Sequence, residues 1–294
     1  MHAGILTPTF GRGPLALCAA VVVAVAANLP AQEFSARTEM VEVYATVTDD
    51  KGRLVTDLTR GDFQVLEDGR PQDVLTFTAG DVPVSLALAF DRSFSMQGKP
   101  LEAARMAARA LLNELGDDDR VTLVAISSEV DVLVPLTNNR LAIDQAVQKL
   151  DPWGSTALHD AVVQALDAIE PAPGRRALVL VSDGLERDSR RTADDVYARV
   201  RSSDVMIYPV ALARRSPPLF DTLAGLSGGR ATATRRPDDL PRIFRRFASE
   251  LRHQYLLGYQ PDSAARPGYR RLEVRLMRPN LVVRARAGYT AADR

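Results

Sequence analysis

Three rhythms of apolar and polar positions divide the chain. From Val41 the period is two: Val41, Val43, Ala45 and Val47 alternate with Glu42, Tyr44, Thr46 and Thr48, as in a half-buried strand. Asp50-Lys51-Gly52 marks a turn, and residues 63–77 read as two strands joined at Asp68-Gly69. From Val82 to about Glu250 strands and helices alternate. Residues 84–91, VSLALAFD, are apolar without alternation, as a strand covered on both faces requires. Pro100 then opens a helix with Ala104, Ala108, Leu111 and Leu115 on one face, and Gly116 closes it. Further strands are expected at 121–127, 131–137, 175–183 and 205–212, with a short one near Ala231. Helices are expected around 143–150, 158–169 and 194–200, and near Phe220. A last helix puts Leu240, Ile243, Phe244, Phe247 and Leu251 on one face. From Tyr255 to Tyr289 period two returns: Leu272, Val274 and Leu276 alternate with arginine and glutamate, as do Leu281, Val283, Ala285 and Ala287 with Arg284 and Arg286.

Alternating strands and helices predict a doubly wound α/β domain with a mainly parallel, Rossmann-like sheet over residues 82–250. The flanking segments, 36–81 and 251–294, are too short to stand alone as strand ladders. Since the ends of an inserted domain often lie close together, they are expected to pack as one split β module around it.

The first 31 residues have another character. Arg12 is their one formal charge, an apolar run of about 14 residues follows from Pro14 to Ala27, and NLPAQ comes after it. This is the layout of a secretory signal peptide, with cleavage expected after Ala31. The run falls short of the roughly 20 residues that span a bilayer. The mature protein is therefore expected in the periplasm or outside the cell, without stable membrane insertion. Cys18, the single cysteine, would leave with the peptide, so folding must proceed without a disulfide.

Composition narrows the function. The 294 residues are 46% hydrophobic and 25% charged, ordinary for a folded chain. Thirty-seven basic residues balance 37 acidic ones, so no global field draws the protein to nucleic acid. No nucleophile elbow, phosphate loop or dinucleotide fingerprint is found. A Ser-His-Asp triad can be drawn from Ser93 or Ser95, His159 and Asp183, but nothing in the sequence orients the histidine. The chain is not expected to be an enzyme.

The chemistry gathers where strands end. Ligands of open α/β sheets bind beyond the carboxyl ends of the strands, where the strand order reverses. With the order 3-2-1-4-5-6, Asp91 ends the first strand and Asp183 its neighbour across the reversal, with Gly154-Ser155-Thr156 between them. Asp91, Ser93, Ser95, Thr156 and Asp183 thus share one crevice. The spacing of two lets an extended loop point Asp91, Ser93 and Ser95 the same way. Carboxylates and hydroxyls without sulfur or imidazole suit a hard divalent cation. Mg²⁺ fits so few carboxylates best, with Mn²⁺ or Ca²⁺ as alternatives. Each element also has a plainer reading: Thr156 as a helix cap, Asp183-Gly184 as a turn, Ser93 and Ser95 as loop serines, Trp153 as loop packing. Arg270, Arg271, Arg275, Arg284 and Arg286 are expected to be solvated or paired with Glu42 and Asp68.

The segments FDRSFSM, GSTALHDAV and VLVSDG resemble the three parts of the metal-ion-dependent adhesion site of von Willebrand factor A domains, over roughly 82–250. The flanks resemble those of exported bacterial proteins of the same group. The resemblance implies that Ser93, Ser95 and Thr156 coordinate the ion, while Asp91 and Asp183 act mainly through water or hydrogen bonds. It further implies an adhesion module whose partner, a protein, presents an Asp or Glu to the ion. Two other functions stay open: an envelope assembly protein working through its β module, and a metal-dependent hydrolase.

Overall fold

The computed structural model describes residues 40–80, 82–261 and 267–291. The expected signal peptide, and Cys18 with it, lie outside the described residues. The chain begins with β1 (Val41–Asp49), β2 (Phe63–Glu67), β3 (Arg70–Gln72) and β4 (Val74–Ala79). Asp68 and Gly69 both take positive φ, 48° and 80°, forming the tight turn that the Asp-Gly pair signals. The expected second strand of this hairpin is in fact two. β3 stays beside β2, whereas β4, after Asp73, pairs with a strand of another sheet. Pro71 lacks an amide donor and sits on β3, at the edge of its sheet, where such a residue is tolerated.

The α/β layer follows: β5 (Val84–Asp91), α1 (Lys99–Leu112), β6 (Arg120–Ile126), β7 (Val130–Thr137), α2 (Arg140–Gln148), α3 (Leu158–Ile169) and β8 (Arg175–Ser182). It continues through α4 (Ala193–Arg201), β9 (Met206–Ala211), α5 (Pro218–Ser227), β10 (Thr232–Ala233) and α6 (Leu240–Arg252). The six strands run in the order β10-β9-β8-β5-β6-β7. All neighbours are parallel except the edge pair β6–β7. The order reverses between β5 and β8, the relationship expected from the sequence.

Residues of β5 show why both faces are covered. Leu86, Leu88 and Phe90 pack under α1, α2 and α6. Ala87 and Ala89, pointing the other way, meet Leu158, Ala161, Val162 and Ala165 of α3. Small alanines on that side let α3 lie close to the sheet. Burying a Leu or Phe side chain is worth about 1.5–3 kcal/mol, so these two layers dominate the stabilisation of the domain.

The chain ends in β11 (Tyr255–Tyr259), β12 (Gly268–Leu276), β13 (Leu281–Arg284) and β14 (Gly288–Ala291). They join the first strands in two antiparallel sheets, β13-β1-β11-β4 and β14-β12-β2-β3. Val43, Val65, Leu257 and Tyr259 lie between them in a core of their own. The hydroxyl of Tyr255 donates to Val55 C=O at 2.9 Å and accepts from Leu58 N–H at 3.1 Å, pinning the β1–β2 connection.

Arg271 and Arg275 are exposed, as the solvated reading expects, while the ion pairs form with acids other than Glu42 and Asp68. Arg270 meets Glu67 at 3.0 Å, Arg275 meets Glu273 and Arg284 meets Glu250. Arg271 meets Asp68 through the backbone: its amide donates to Asp68 Oδ1 and its carbonyl accepts Asp68 N–H, both at 2.9 Å. Cross-strand register decides such pairs. The α/β layer and the β strands meet through buried polar groups. Arg175 is fully buried, donates to Leu251 C=O and lies over the Tyr44 ring, 5.2 Å from its centroid. Gln254 donates to Thr46 Oγ1 at 3.0 Å and to the Tyr208 hydroxyl at 3.2 Å.

Candidate metal centre

Asp91 is the last residue of β5 and is fully buried. Its Oδ1 accepts the Ser93 amide at 2.8 Å, and its Oδ2 accepts the Ser182 hydroxyl at 2.6 Å. Burial lifts the Asp91 carboxyl above the ordinary range; the hydrogen bonds from Ser182 and Ser93 oppose that rise, and the nearby Asp183 adds to it. A buried carboxylate of this kind is best satisfied by hydrogen-bond donors or a cation.

Ser93 is buried, and its Oγ lies 3.0 Å from Ser95 Oγ. The route by which the two hydroxyls meet differs from the expected extended loop. In extended backbone, side chains two residues apart would stand roughly 6.6 Å from each other. Here Phe94–Met96 form a single 3-10 turn, and that turn folds Ser95 back onto Ser93.

The second loop is tied directly to the first. Trp153 N–H donates to Arg92 C=O at 2.7 Å, and Phe94 N–H donates to Gly154 C=O at 3.1 Å. Gly154 takes a φ of +68°, and a Cβ there would stand 2.8 Å from Ser128 Oγ, so a larger residue does not fit. Thr156 is buried, but it is not the cap of α3; Ala157 occupies that position, without a side-chain cap bond. Donors at the α3 N-terminus are satisfied from elsewhere: Glu186 Oε2 accepts His159 N–H at 2.9 Å and Ser189 Oγ accepts Asp160 N–H at 3.2 Å.

Asp183 follows β8 directly and is half-buried, with its Oδ1 accepting Leu185 N–H at 3.0 Å. The loop it opens returns to the second one, since the amides of Arg187 and Asp188 both donate to Thr156 C=O, at 3.0 and 3.2 Å. Asp160 then clamps the far end of this loop by accepting the amides of Arg190 and Arg191. His159 contributes no ligand geometry; its Nδ1 lies 3.0 Å from Arg191 C=O.

The five sequence-derived residues therefore sit on three loops stitched together at the strand-order reversal. Ser182, Glu186 and Asp160 hold the arrangement and were not singled out from the sequence. The signal for Ser182 was present: it is a hydroxyl closing the apolar run VLVS next to Asp183. Glu186 and Asp160 carry no such signal, because their contacts span distant segments. Among the described residues there is no group of three or more His, Cys, Asp or Glu arranged to hold a metal. The three loops instead carry hydroxyls and carboxylates: buried Ser93, Thr156 and Asp91, with Ser95 and Asp183; oxygen groups of this kind suit a hard, oxygen-seeking cation.

The family model for the von Willebrand factor type A domain matches residues 86–186, from within β5 across the first two loops and into the third. The chain carries a von Willebrand factor type A domain. Relatives by sequence include an uncharacterized protein of Synechocystis sp., 31% identical over 109 residues, or 35% of this chain and 26% of that protein. The UPF0353 protein of Mycobacterium tuberculosis is 35% identical over 115 residues, 34% of each chain. The chain thus aligns with about a quarter to a third of the length of these relatives. A von Willebrand factor type A structure from Catenulispora acidiphila superposes with a TM-score of 0.52 at 18% identity, covering 88% of this chain and 65% of that one. At this identity the likeness is one of fold. Among the described residues no helix is long and apolar enough to cross a membrane.

Proposed function

We propose that the chain is an exported binding module that captures a protein ligand through Mg²⁺ held by Ser93, Ser95 and Thr156. Asp91 and Asp183 act through water or hydrogen bonds. The observation that carries this reading is the pair of hydroxyl oxygens 3.0 Å apart beside a buried carboxylate. Neighbouring ligands of an octahedral ion with metal–oxygen distances near 2.1 Å lie about 3.0 Å apart, which supports the fit to Mg²⁺. Asp91 has both oxygens already engaged with Ser93 and Ser182, which supports an indirect role for it.

The bound ion would offer a Lewis-acidic position to a carboxylate of the partner. With hydroxyl ligands and few carboxylates, the site keeps net positive character and favours an acidic group from outside. The chain's own part is to preset the geometry: the 3-10 turn aims Ser95, Gly154 lets the second loop approach, and Ser182 orients Asp91. Nothing in this arrangement supplies an activated nucleophile, so binding and not turnover is the activity proposed. Export rests on the character of residues 1–31.

Capture of partners from the native envelope or medium, run with Mg²⁺ and with EDTA in parallel, tests the reading. Loss of capture on chelation and in Asp91→Ala supports it. Capture that survives both would move the binding surface to the β strands, as in an assembly protein.

A further inference from the structure

Each of the three loops that carry the candidate ligands also lifts one large apolar side chain into solvent. Phe94, between Ser93 and Ser95, is 64% exposed; Trp153, beside Gly154, is 44% exposed; Leu185, two residues after Asp183, is 48% exposed. Single exposed apolar residues are common on any surface. Here one stands on each of three loops that backbone hydrogen bonds tie together, Trp153 to Arg92, Phe94 to Gly154 and Arg187 to Thr156, so this end of the sheet presents apolar side chains beside the candidate ligands. Trp153 is moreover held in place, with the Arg92 guanidinium 5.4 Å from its ring centroid and Arg92 in turn 3.4 Å from Asp131. On the loop that follows β9, Arg214 and Arg215 are exposed with no acidic neighbour in sequence, whereas exposed Arg187 on the loop after β8 is offset by exposed Asp188.

We infer that Phe94, Trp153 and Leu185 form an apolar collar that selects the partner. The occupant is an acidic polypeptide segment whose metal-seeking Asp or Glu is flanked by apolar side chains, with further negative charge toward Arg214 and Arg215. This rests on the proposed metal-dependent capture and deepens it, because the ion alone accepts any accessible carboxylate. The collar supplies what the ion lacks. Burying apolar flanks on it gives sequence preference, and charge complementarity fixes the direction in which the segment lies.

The test is selection from a displayed peptide library with a fixed central Asp and three random residues on each side, panned on the full chain in Mg²⁺ and in EDTA. Manganese binding to the same preparations is measured separately. The expected result is peptides recovered at least about tenfold better in Mg²⁺, rich in apolar and aromatic residues next to the Asp. The double variant Trp153→Ser, Leu185→Ser, which leaves the Phe94–Met96 turn intact, should lose that recovery while binding Mn²⁺ as before. Mg²⁺-dependent peptides with polar flanks, equal recovery by the double variant, or no Mg²⁺-dependent peptide from a chain that binds Mn²⁺ would each overturn the collar and leave the metal site standing. A chain that binds no Mn²⁺ removes the metal reading and the collar with it.

Discussion

Ser182 donates its hydroxyl proton to Asp91 Oδ2 at 2.6 Å, joining the last residues of β8 and β5 where the strand order of the sheet reverses. Both residues are fully buried. The bond therefore does two things at once. It compensates a carboxylate taken out of water, and it fixes which way that carboxylate faces in the crevice.

Ser182→Ala removes the donor and leaves the acceptor buried. The expected cost is about 1.5–3 kcal/mol, the range for hydrogen bonds to charged groups, read from urea denaturation. Weaker Mn²⁺ binding should accompany it, since Asp91 loses its orienting partner.

Gly154→Ala should cost about 1–2 kcal/mol for the left-handed backbone alone. The added methyl also meets Ser128 Oγ, which accepts Ser155 N–H at 2.9 Å, so the loop must shift. Thermal melts will show the loss, and metal titration of the same variant should show reduced affinity although no ligand is altered.

Glu250 lies on α6, fully buried, with Arg230 at 3.0 Å, Arg246 at 3.4 Å and Arg284 of β13 around it. Removing one partner of a buried ion pair costs about 3–5 kcal/mol. Glu250→Gln is expected toward the lower end of that range, because the arginines reach solvent on one side. A change in urea midpoint below the equivalent of about 1 kcal/mol would show that this cluster does not hold α6 to the β strands.

Asp160 governs part of the acid limb of stability. Burial pushes its carboxyl up, but the amides of Arg190 and Arg191 and the Arg191 guanidinium outweigh this and hold it below the ordinary aspartate range. A carboxyl depressed in the folded state stabilises above its unfolded pKa. That contribution fades as pH falls through the folded value, hence below about pH 4. Stability measured against pH should drop there in the parent chain, and the drop should be shallower in Asp160→Asn.

Much of the α/β layer was legible because local rules and burial agree in it. β5 and β8 are apolar without alternation, Pro100 sits in the first turn of α1, and Asp91 and Asp183 mark strand ends. What was not legible depends on distant partners. The separation of β3 from β4 is settled by which sheet receives each strand, and Arg284 finds Glu250 because β13 passes α6. Glu186 serves the α3 N-terminus across 27 residues of chain. The 3-10 turn at Phe94–Met96 also escaped the period-two reading, since alternating serines look alike in extended and tightly turned backbone.

Calorimetric titration of the full chain with Mg²⁺ and Mn²⁺ tests the central claim most directly. Saturable binding at a single site, lost in Ser93→Ala and in Asp91→Ala variants that still unfold cooperatively, is the predicted result. A folded chain that gives neither heat nor saturation with either ion contradicts it.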